Sequence, residues 1–407
     1  MKFNKWTLGL AAVGVVSLAS AAKAEEKANM VQTALSSTTL SGYVDTSAQW
    51  NFGTGNANNP PYRFGGADKA DGFNLNVVQV RIEKPLDEAD WAAGYRVDLW
   101  AGPDANTLGT QSVLASGSSD FAIRQAYVAL RAPVYNGIDL KVGVFDSIIG
   151  YESVESPSNP NYTRSYGNSI EPTTHTGVLA SYHFTDMLSA SVGVANTTGP
   201  RINDRASNPF GPDAESYKSY MGSIALTAPD SMGFLAGSQL YAGVVNGFGG
   251  SSSSTQTTYD GNLTSWYVGS TIATPINNLR LGAAFDAVDV HTSHAGDYHR
   301  GGETWALAGY ASFKATEKLS LHARAEYLKD RGNQKFFTGE FTSNEATYPD
   351  KVLALTGTLQ YDLWQNVISR LELRWDHSLN DTMAYGGTGE PNRDNAWMLA
   401  GNLIYKF

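Results

Sequence analysis

The stretch VISRLELRWD, residues 367–376, alternates apolar and charged side chains. Successive side chains of an extended strand point to opposite faces. The apolar face has Val367, Leu371, Leu373 and Trp375, and the other face has Ile368, Arg370, Glu372, Arg374 and Asp376. A strand in lipid turns its apolar face outwards and keeps its charges towards a wet lumen. This stretch therefore favours a membrane-spanning strand, provided that similar strands close a barrel and leave no backbone edge unpaired.

Sixteen segments of the chain have the length and composition of such strands, with turn-forming residues between them. We place them at residues 38–50, 73–83, 91–101, 121–131, 137–146, 174–184, 188–198, 217–228, 235–247, 263–273, 278–289, 303–315, 318–329, 351–362, 366–378 and 395–407. The boundaries of such segments are good to about three residues. The predicted fold is an all-β, up-and-down antiparallel transmembrane β-barrel of about 16 strands, formed by residues 38–407.

The connections between these segments alternate in length. Long gaps follow the odd segments, at 51–72, 102–120, 147–173, 199–216, 248–262, 290–302, 330–350 and 379–394. Short gaps follow even segments, as at 132–136, 185–187, 274–277, 316–317 and 363–365. Outer-membrane barrels have short periplasmic turns and long outer loops. A soluble all-β or lectin-like protein, the alternative fold, has no reason to keep this alternation.

Aromatic residues lie near the predicted strand ends, where an indole ring suits the lipid–water boundary. The outer ends have Trp50, Trp100, Trp266, Trp305, Trp375 and Trp397, and the periplasmic ends have Trp91 and Trp364. The last segment is amphipathic and ends on Phe407. A terminal aromatic residue in this position resembles the signal by which the barrel-assembly machinery recognises outer-membrane barrels.

Composition excludes several classes of protein. The 407 residues include 41 Gly and no Cys, and 17% of them are charged. This low charge and high Gly content are unusual for a soluble α/β enzyme. The absence of Cys excludes disulfide scaffolds, thiolate zinc sites and Cys nucleophiles. A formal net charge of −10 argues against a nucleic-acid partner.

The first 24 residues have the three parts of a secretory signal peptide. Lys2 and Lys5 precede an uncharged, mostly apolar stretch, and Ala22-Lys23-Ala24 ends it with the small residues that a signal peptidase reads. A membrane anchor is the alternative, but the apolar stretch is short for a spanning helix. Cleavage after Ala24 leaves 26 basic and 39 acidic residues. Residues 25–37 then form a short periplasmic lead whose composition is compatible with a helix.

The region around the third long gap carries a family resemblance. The segments GVFDSIIGYE (143–152), SPSNPNYTRSY (156–166) and EPTTHTG (171–177) resemble the outer-membrane β-barrel porin-2 family, also called OmpL-like. The preceding strand RQAYVALR (124–131) fits the same resemblance, which covers about residues 121–185. The resemblance implies a passive diffusion channel for small hydrophilic solutes in the outer membrane of a Gram-negative-type bacterium. It implies no particular solute and no residue-level function.

The longest gap, 147–173, is expected to fold inwards and narrow the lumen, because a sixteen-strand barrel otherwise leaves a wide aqueous channel. Three prolines stiffen it. The candidate constriction residues are Tyr151, Glu152, Glu155, Tyr162, Arg164, Tyr166 and Glu171. The inward faces of the strands supply a candidate basic wall of Arg81, Arg96, Lys141, Arg324, Arg370 and Arg374. Two alternatives remain open: the loop could form a cap outside the barrel, and inward carboxylates could neutralise the wall.

Two functions remain after other chemistry is weighed. The first is a porin narrowed by the gap at 147–173, and the alternative is a closed-lumen barrel whose outer loops bind a ligand or a surface. We expect no enzyme activity, no catalytic residues, no cofactor and no bound metal. The expected partners are outer-membrane lipid and lipopolysaccharide, the barrel-assembly machinery and small hydrophilic solutes, and a homotrimer is compatible with the barrel.

Overall fold

A computed structural model describes residues 31–32, 37–53, 55–111, 119–206, 216–249, 262–291, 302–330, 350–379 and 383–407. Sixteen strands dominate these ranges. They are β1 Thr39–Asn51, β2 Gly72–Lys84, β3 Ala93–Ala101, β4 Phe121–Ala132, β5 Ile138–Asp146, β6 Thr174–His183, β7 Leu188–Ala195, β8 Ser219–Thr227, β9 Gln239–Phe248, β10 Asn262–Ala273, β11 Leu279–His291, β12 Gly302–Lys314, β13 Leu319–Asp330, β14 Lys351–Trp364, β15 Val367–Ser378 and β16 Asn395–Lys406. Each strand pairs antiparallel with the next one along the chain.

The sheet closes on itself because β16 pairs antiparallel with β1, from Met398 opposite Asn51 to Lys406 opposite Tyr43. Phe407 continues this seam by exchanging backbone hydrogen bonds with Gly42 at 2.9 and 3.0 Å. A side chain on Gly42 would overlap the ring of Phe407, so glycine makes room for the terminal aromatic residue. Closure leaves no free sheet edge, which is the condition for a sheet to span lipid. The predicted sixteen-strand barrel is therefore confirmed.

The connections follow the predicted alternation with one exception. The turn between β8 and β9, residues 228–238, contains a short 3-10 segment, Asp230–Leu235. It is as long as some outer loops, so the alternation in length is less strict than the sequence suggested. Two short α-helices of the described ranges lie in outer loops: α1 is Pro103–Leu108 and α2 is Tyr166–Ile170. Among the described residues, no helix has both the length and the apolar character needed to cross a membrane.

The outer surface of the barrel carries the apolar faces of its strands. On β15, Leu371 and Leu373 are 52% and 43% exposed, whereas Arg370, Glu372 and Arg374 between them are at most 4% exposed. Burial of charges together with exposure of leucines is the reverse of a soluble protein. This arrangement fits a barrel whose outer face is covered by lipid.

The tryptophans are divided between the two faces of the barrel. Trp50, Trp266 and Trp397 are between 43% and 49% exposed near the outer ends of their strands, as the aromatic belt requires. Trp100 was predicted in the same belt, and this was wrong. Its side chain points inwards, is 1% exposed and donates Nε1–H to Gln79 Oε1 at 2.7 Å. Its indole also lies against Phe64 of the first outer loop (52–71), with ring centroids 5.8 Å apart.

The lead before the barrel contains a two-residue strand, Val31–Gln32, which pairs with Leu40 and Thr39. This pairing differs from the helix that composition suggested there. Residues 1–30 and 33–36, which include the expected signal peptide, lie outside the described residues.

Candidate functional site

The third outer loop, residues 147–173, packs against the inner face of the barrel wall. It leaves β5 at Ser147, contains a 3-10 turn at Ser156–Ser158 and helix α2, and returns at β6. All 27 of its residues are buried or half-buried. Ser165 caps α2 by accepting a hydrogen bond from the Asn168 N–H at 3.0 Å. The loop is therefore held by neighbouring elements rather than by long regular structure of its own.

Glu155 lies at the centre of an arginine cluster formed by β2, β3 and β4. Its Oε1 contacts Arg81, and the Nη2 atoms of Arg96 and Arg124 lie 3.0 Å from it. The same guanidinium groups also bind Asp98, which is completely buried. Burial alone would raise the pKa of Glu155, but the three arginines outweigh it and lower this pKa below its usual value. Glu155 is therefore an ionised carboxylate that neutralises positive charge on the wall.

Glu152 forms the second charged contact between the third loop and the wall. Its Oε1 accepts a hydrogen bond from Arg324 Nη1 at 2.8 Å, and its Oε2 accepts one from the Ser165 N–H at 2.7 Å. Arg324 also donates to Glu326 at 2.6 Å and to the carbonyl oxygen of Thr163 at 2.8 Å. Arg324 thus links two carboxylates and the loop backbone in a site that water does not reach.

Strand β15 binds the middle of the loop through side chains of both signs. Glu372 accepts hydrogen bonds from the N–H groups of Tyr162 and Thr163, at 2.6 and 2.9 Å. Arg370 donates to the carbonyl oxygen of Asn159 at 2.5 Å. Arg374 pairs with Asp376 at 2.8 Å. Both arginine and carboxylate side chains of the wall are therefore used to hold the loop backbone.

The opposite side of the third loop is apolar. Ile148, Ile149 and Tyr151 belong to a buried cluster with inward side chains of β6 to β12. Tyr151 stacks on Tyr310 with ring centroids 4.0 Å apart. A Cβ atom on Gly282 would overlap the hydroxyl group of Tyr151, so close approach requires glycine there. The loop thus contacts the wall on two sides, through charges on one and apolar side chains on the other.

The first outer loop covers the third loop. Arg63 donates to the carbonyl oxygen of Glu171 at 2.7 Å. The guanidinium carbon of Arg374 lies 4.1 Å from the centroid of the Tyr62 ring. The guanidinium carbon of Arg164 lies 5.6 Å from the centroid of the Phe64 ring. Sequence reasoning missed these three residues, because no periodic pattern marks a loop that folds back. The adjacent Pro60-Pro61 pair was the available signal for a stiff segment.

The structure brings most of the sequence-predicted site residues together. Arg96 and Arg324 contact acids of the loop, whereas Arg374 pairs with Asp376 on its own strand. The hydroxyl groups of Tyr162 and Ser47 share a hydrogen bond of 2.9 Å, and the Tyr166 hydroxyl donates to Asp376 at 2.8 Å. Arg164 donates to the carbonyl oxygen of Val154 at 3.0 Å. Lys141 stands apart from this set, with its ammonium group 5.0 Å from the centroid of the Tyr127 ring.

Arg124 was missed because a β-bulge breaks the alternation of β4. Asp98 pairs with Gln125 and Leu99 pairs with Ile123, so Arg124 is the extra residue. A bulge places two consecutive side chains on one face. Arg124 and Gln125 are accordingly both buried, at 1% and 3% exposure. A period of two cannot assign a face to such a strand.

Comparison with solved structures finds outer-membrane proteins of the same fold. The outer membrane channel DcaP of Acinetobacter baumannii has 14% identity and a TM-score of 0.58, covering 93% of this chain and 99% of its own. The anion-selective porin from Comamonas acidovorans has 12% identity and a TM-score of 0.54, covering 91% and 99%. The trimer form of Vibrio cholerae OmpT has 12% identity and a TM-score of 0.56, with the same coverage.

Comparison with curated proteins finds no match. A family model described as putative beta-barrel porin-2, OmpL-like, matches residues 37–407. This match extends the resemblance seen around the third loop to nearly the whole chain. The closed barrel and its solved neighbours agree on the fold of an outer-membrane β-barrel. The chain therefore belongs to the beta-barrel porin-2, OmpL-like family.

Proposed function

We propose that this protein is a diffusion channel for small hydrophilic solutes and that the third loop sets its narrowest point. The observation that carries this proposal is the double seating of the loop, by Glu152 and Glu155 on the charged wall and by Ile149 and Tyr151 on the apolar wall. A loop held on two sides reduces the free cross-section of a sixteen-strand barrel. The channel should therefore be narrow.

Among the charged contacts between the third loop and the wall, those around Glu155 are the ones that meet water. The side chains of Arg81, Arg96 and Glu155 are 19%, 16% and 14% exposed, whereas those of Arg324 and Glu152 are at most 1% exposed. Buried, paired charges contribute little to the field that a passing ion meets. Charges that are partly exposed to water at a constriction, as these are, do bias ion passage. Selectivity should therefore depend on the Glu155 cluster more than on the Arg324 cluster.

Single-channel recording of the purified protein in a planar bilayer tests the proposed function. We expect small, discrete conductance steps. The alternative is a closed lumen, with outer loops that bind a ligand or a surface. The tight packing of the third loop is compatible with this alternative as well. An absence of steps in a protein that is correctly folded and inserted would favour that alternative.

Neutralising Glu155 should shift the ion preference of the channel towards anions. Glu155→Gln leaves three arginines with less compensating charge. A unit charge about 8 Å from an ion in water changes its energy by about 0.5 kcal/mol, which is roughly twofold in the permeability ratio. The measurement is the reversal potential in a KCl gradient. Adding Glu152→Gln should extend the shift only slightly, because Glu152 is buried and paired, and neutralising Arg81 or Arg96 should give the opposite sign.

The matched control for this prediction is Glu390→Gln, which removes the same charge from an exposed residue outside the lumen. It should leave the reversal potential unchanged. If the double variant of Glu152 and Glu155 has the conductance and the ion preference of the wild type, the third loop does not form the constriction.

We also propose how the protein is exported and assembled. Cleavage after Ala24 would start the mature chain at Glu25, which N-terminal sequencing of the protein from outer membranes can test. Phe407, paired with Gly42 at the barrel seam, would serve as the signal for the assembly machinery. A homotrimer, the form described for OmpT of Vibrio cholerae, can be tested by native electrophoresis before and after heating.

A further inference from the structure

Two buried carboxyl groups meet where the third loop returns to the wall. Glu171 follows helix α2, and Asp286 points inwards from β11. A side-chain hydrogen bond joins the two groups, and the residues are 8% and 3% exposed. Because a carboxylate can only accept, a hydrogen bond between two carboxyl groups requires a proton on one of them. The contact therefore exists in a protonated form of the pair.

The surrounding backbone packs closely against this pair. A Cβ atom on Gly150 would overlap the Glu171 carboxylate, and one on Gly167 would overlap that of Asp286. Asp286 Oδ1 is buried and has no hydrogen-bond partner among the described residues. The backbone N–H of Tyr151 donates to Glu171, but no described residue donates to Asp286 Oδ1, so a second negative charge here is costly in a protein interior.

Nearby cations do not compensate the pair. Arg324 is shared by Glu152 and Glu326, and Arg63 directs its Nη2 to the backbone carbonyl oxygens of Ser169 and Glu171. The titratable and charged groups around the pair are Arg63, Tyr151, Glu152, Tyr267, Arg324 and Glu326. Together with the pair itself, four carboxyl groups meet two arginines here, and a shared proton reduces this excess of acids. The Glu155 cluster differs, because its three arginines face Asp98, Asp146 and Glu155.

We propose that the protonated pair of Glu171 and Asp286 is a latch that seats the returning end of the third loop, and that loss of protons from the pair at rising pH releases this end and widens the channel. The widening rests on the proposed channel function. The release itself does not, because it concerns the loop and not the passage of ions.

The pH window follows from the pKa of Glu171. Burial raises this pKa, the hydrogen bond with Asp286 and the charge of Arg63 lower it, and Glu152 raises it, so that it lies at about 7 rather than the ordinary 4.5. A carboxyl group with a raised pKa binds its proton more tightly in the seated state than in the released state. Glu171 is the first of the two to ionise, because its carboxylate accepts the hydrogen bond while the proton stays on Asp286. The seat is therefore strongest below about pH 4.5 and weakens as the pH rises through about 7. The ratio of seated to released loop should fall by at least about tenfold, as one unit of pKa difference requires.

Two measurements test the latch. One is the single-channel conductance at pH 5, 6, 7 and 8, and the other is hydrogen exchange of the amides of residues 165–173, corrected for intrinsic rates at each pH. In the wild type, conductance should rise and amide protection should fall with pH. Glu171→Gln and Asp286→Asn each supply an amide donor in place of the proton, so both variants should keep the low conductance and the protection at every pH. Glu390→Gln, outside the lumen, should behave as the wild type.

The outcomes separate the latch from the proposed function. Wild-type protection that does not change between pH 5 and 8 would overturn the latch, as would a pH response that persists in both amide variants. Protection that falls with pH in the wild type, but not in the amide variants, would support the latch even if no current is seen. That combination would count against the channel function alone.

Discussion

Replacing Arg324 by Met should lower the free energy of unfolding by about 3–5 kcal/mol, because the change leaves buried carboxylates without their cation. The Arg324 side chain is completely buried and lies 2.8 Å from Glu152 and 2.6 Å from Glu326. Both carboxylates would stay in a site that water does not reach. The same variant should loosen the third loop and raise the single-channel conductance.

Urea titration of the barrel in lipid vesicles measures this effect. Arg280→Met is the matched control, since Arg280 is a half-buried residue on the inner face of β11 for which the described residues provide no ion pair. Its substitution should change the free energy of unfolding by about 0.5 kcal/mol or less. Equal stability losses in the two variants would show that the contacts of Arg324 with Glu152 and Glu326 are not what holds the loop.

Replacing Leu373 by Arg should cost about 2–4 kcal/mol, the range for a cation placed at the bilayer midplane on the lipid-facing side of a barrel. Leu373 lies in the middle of β15, is 43% exposed, and stands opposite Leu399 of β16. Lipid cannot hydrate a guanidinium group at that depth. The measurement is the free energy of folding into vesicles.

The control for this prediction is an arginine placed on the same face but farther from the bilayer midplane. Ser369 lies on the same strand and the same face, but nearer to the periplasmic end. Ser369→Arg should cost about 0–1 kcal/mol, because an arginine near the interface reaches water. If Ser369→Arg and Leu373→Arg are equally costly, the outer face of β15 does not cross the membrane in the orientation inferred from its leucines.

The predictable part of the fold came from local alternation. The leucines at 371 and 373 and the charges at 370, 372 and 374 already divide β15 into an outer and an inner face. Repetition of such strands requires closure in lipid, so the strand count and the barrel followed from the segments alone. The same rule failed for Trp100, whose position near a strand end suggested a belt residue although its side chain faces inwards.

The sequence predicted many of the residues of the candidate site but not which of them contact each other. Acidic residues in the third loop and arginines on the wall could be read from position and charge. Their partners could not, because Arg324 and Glu152 are 172 positions apart in the chain. Arg124 joined the Glu155 cluster through a bulge that disrupts the period of two. The first loop contributes Tyr62, Arg63 and Phe64 to the site, and no repeating pattern in the chain marks these residues.

The sequence by itself determined the all-β barrel, its number of strands, the lipid-facing side of strands such as β15 and the region of the family resemblance. Each of these depends on side-chain alternation or on a short motif, which are local properties. The tertiary structure decided which arginine meets which carboxylate, how the first and third loops meet, and that Glu171 and Asp286 lie together in the interior. These contacts join residues far apart in the chain within one water-poor interior, where burial makes each charge dependent on its neighbours.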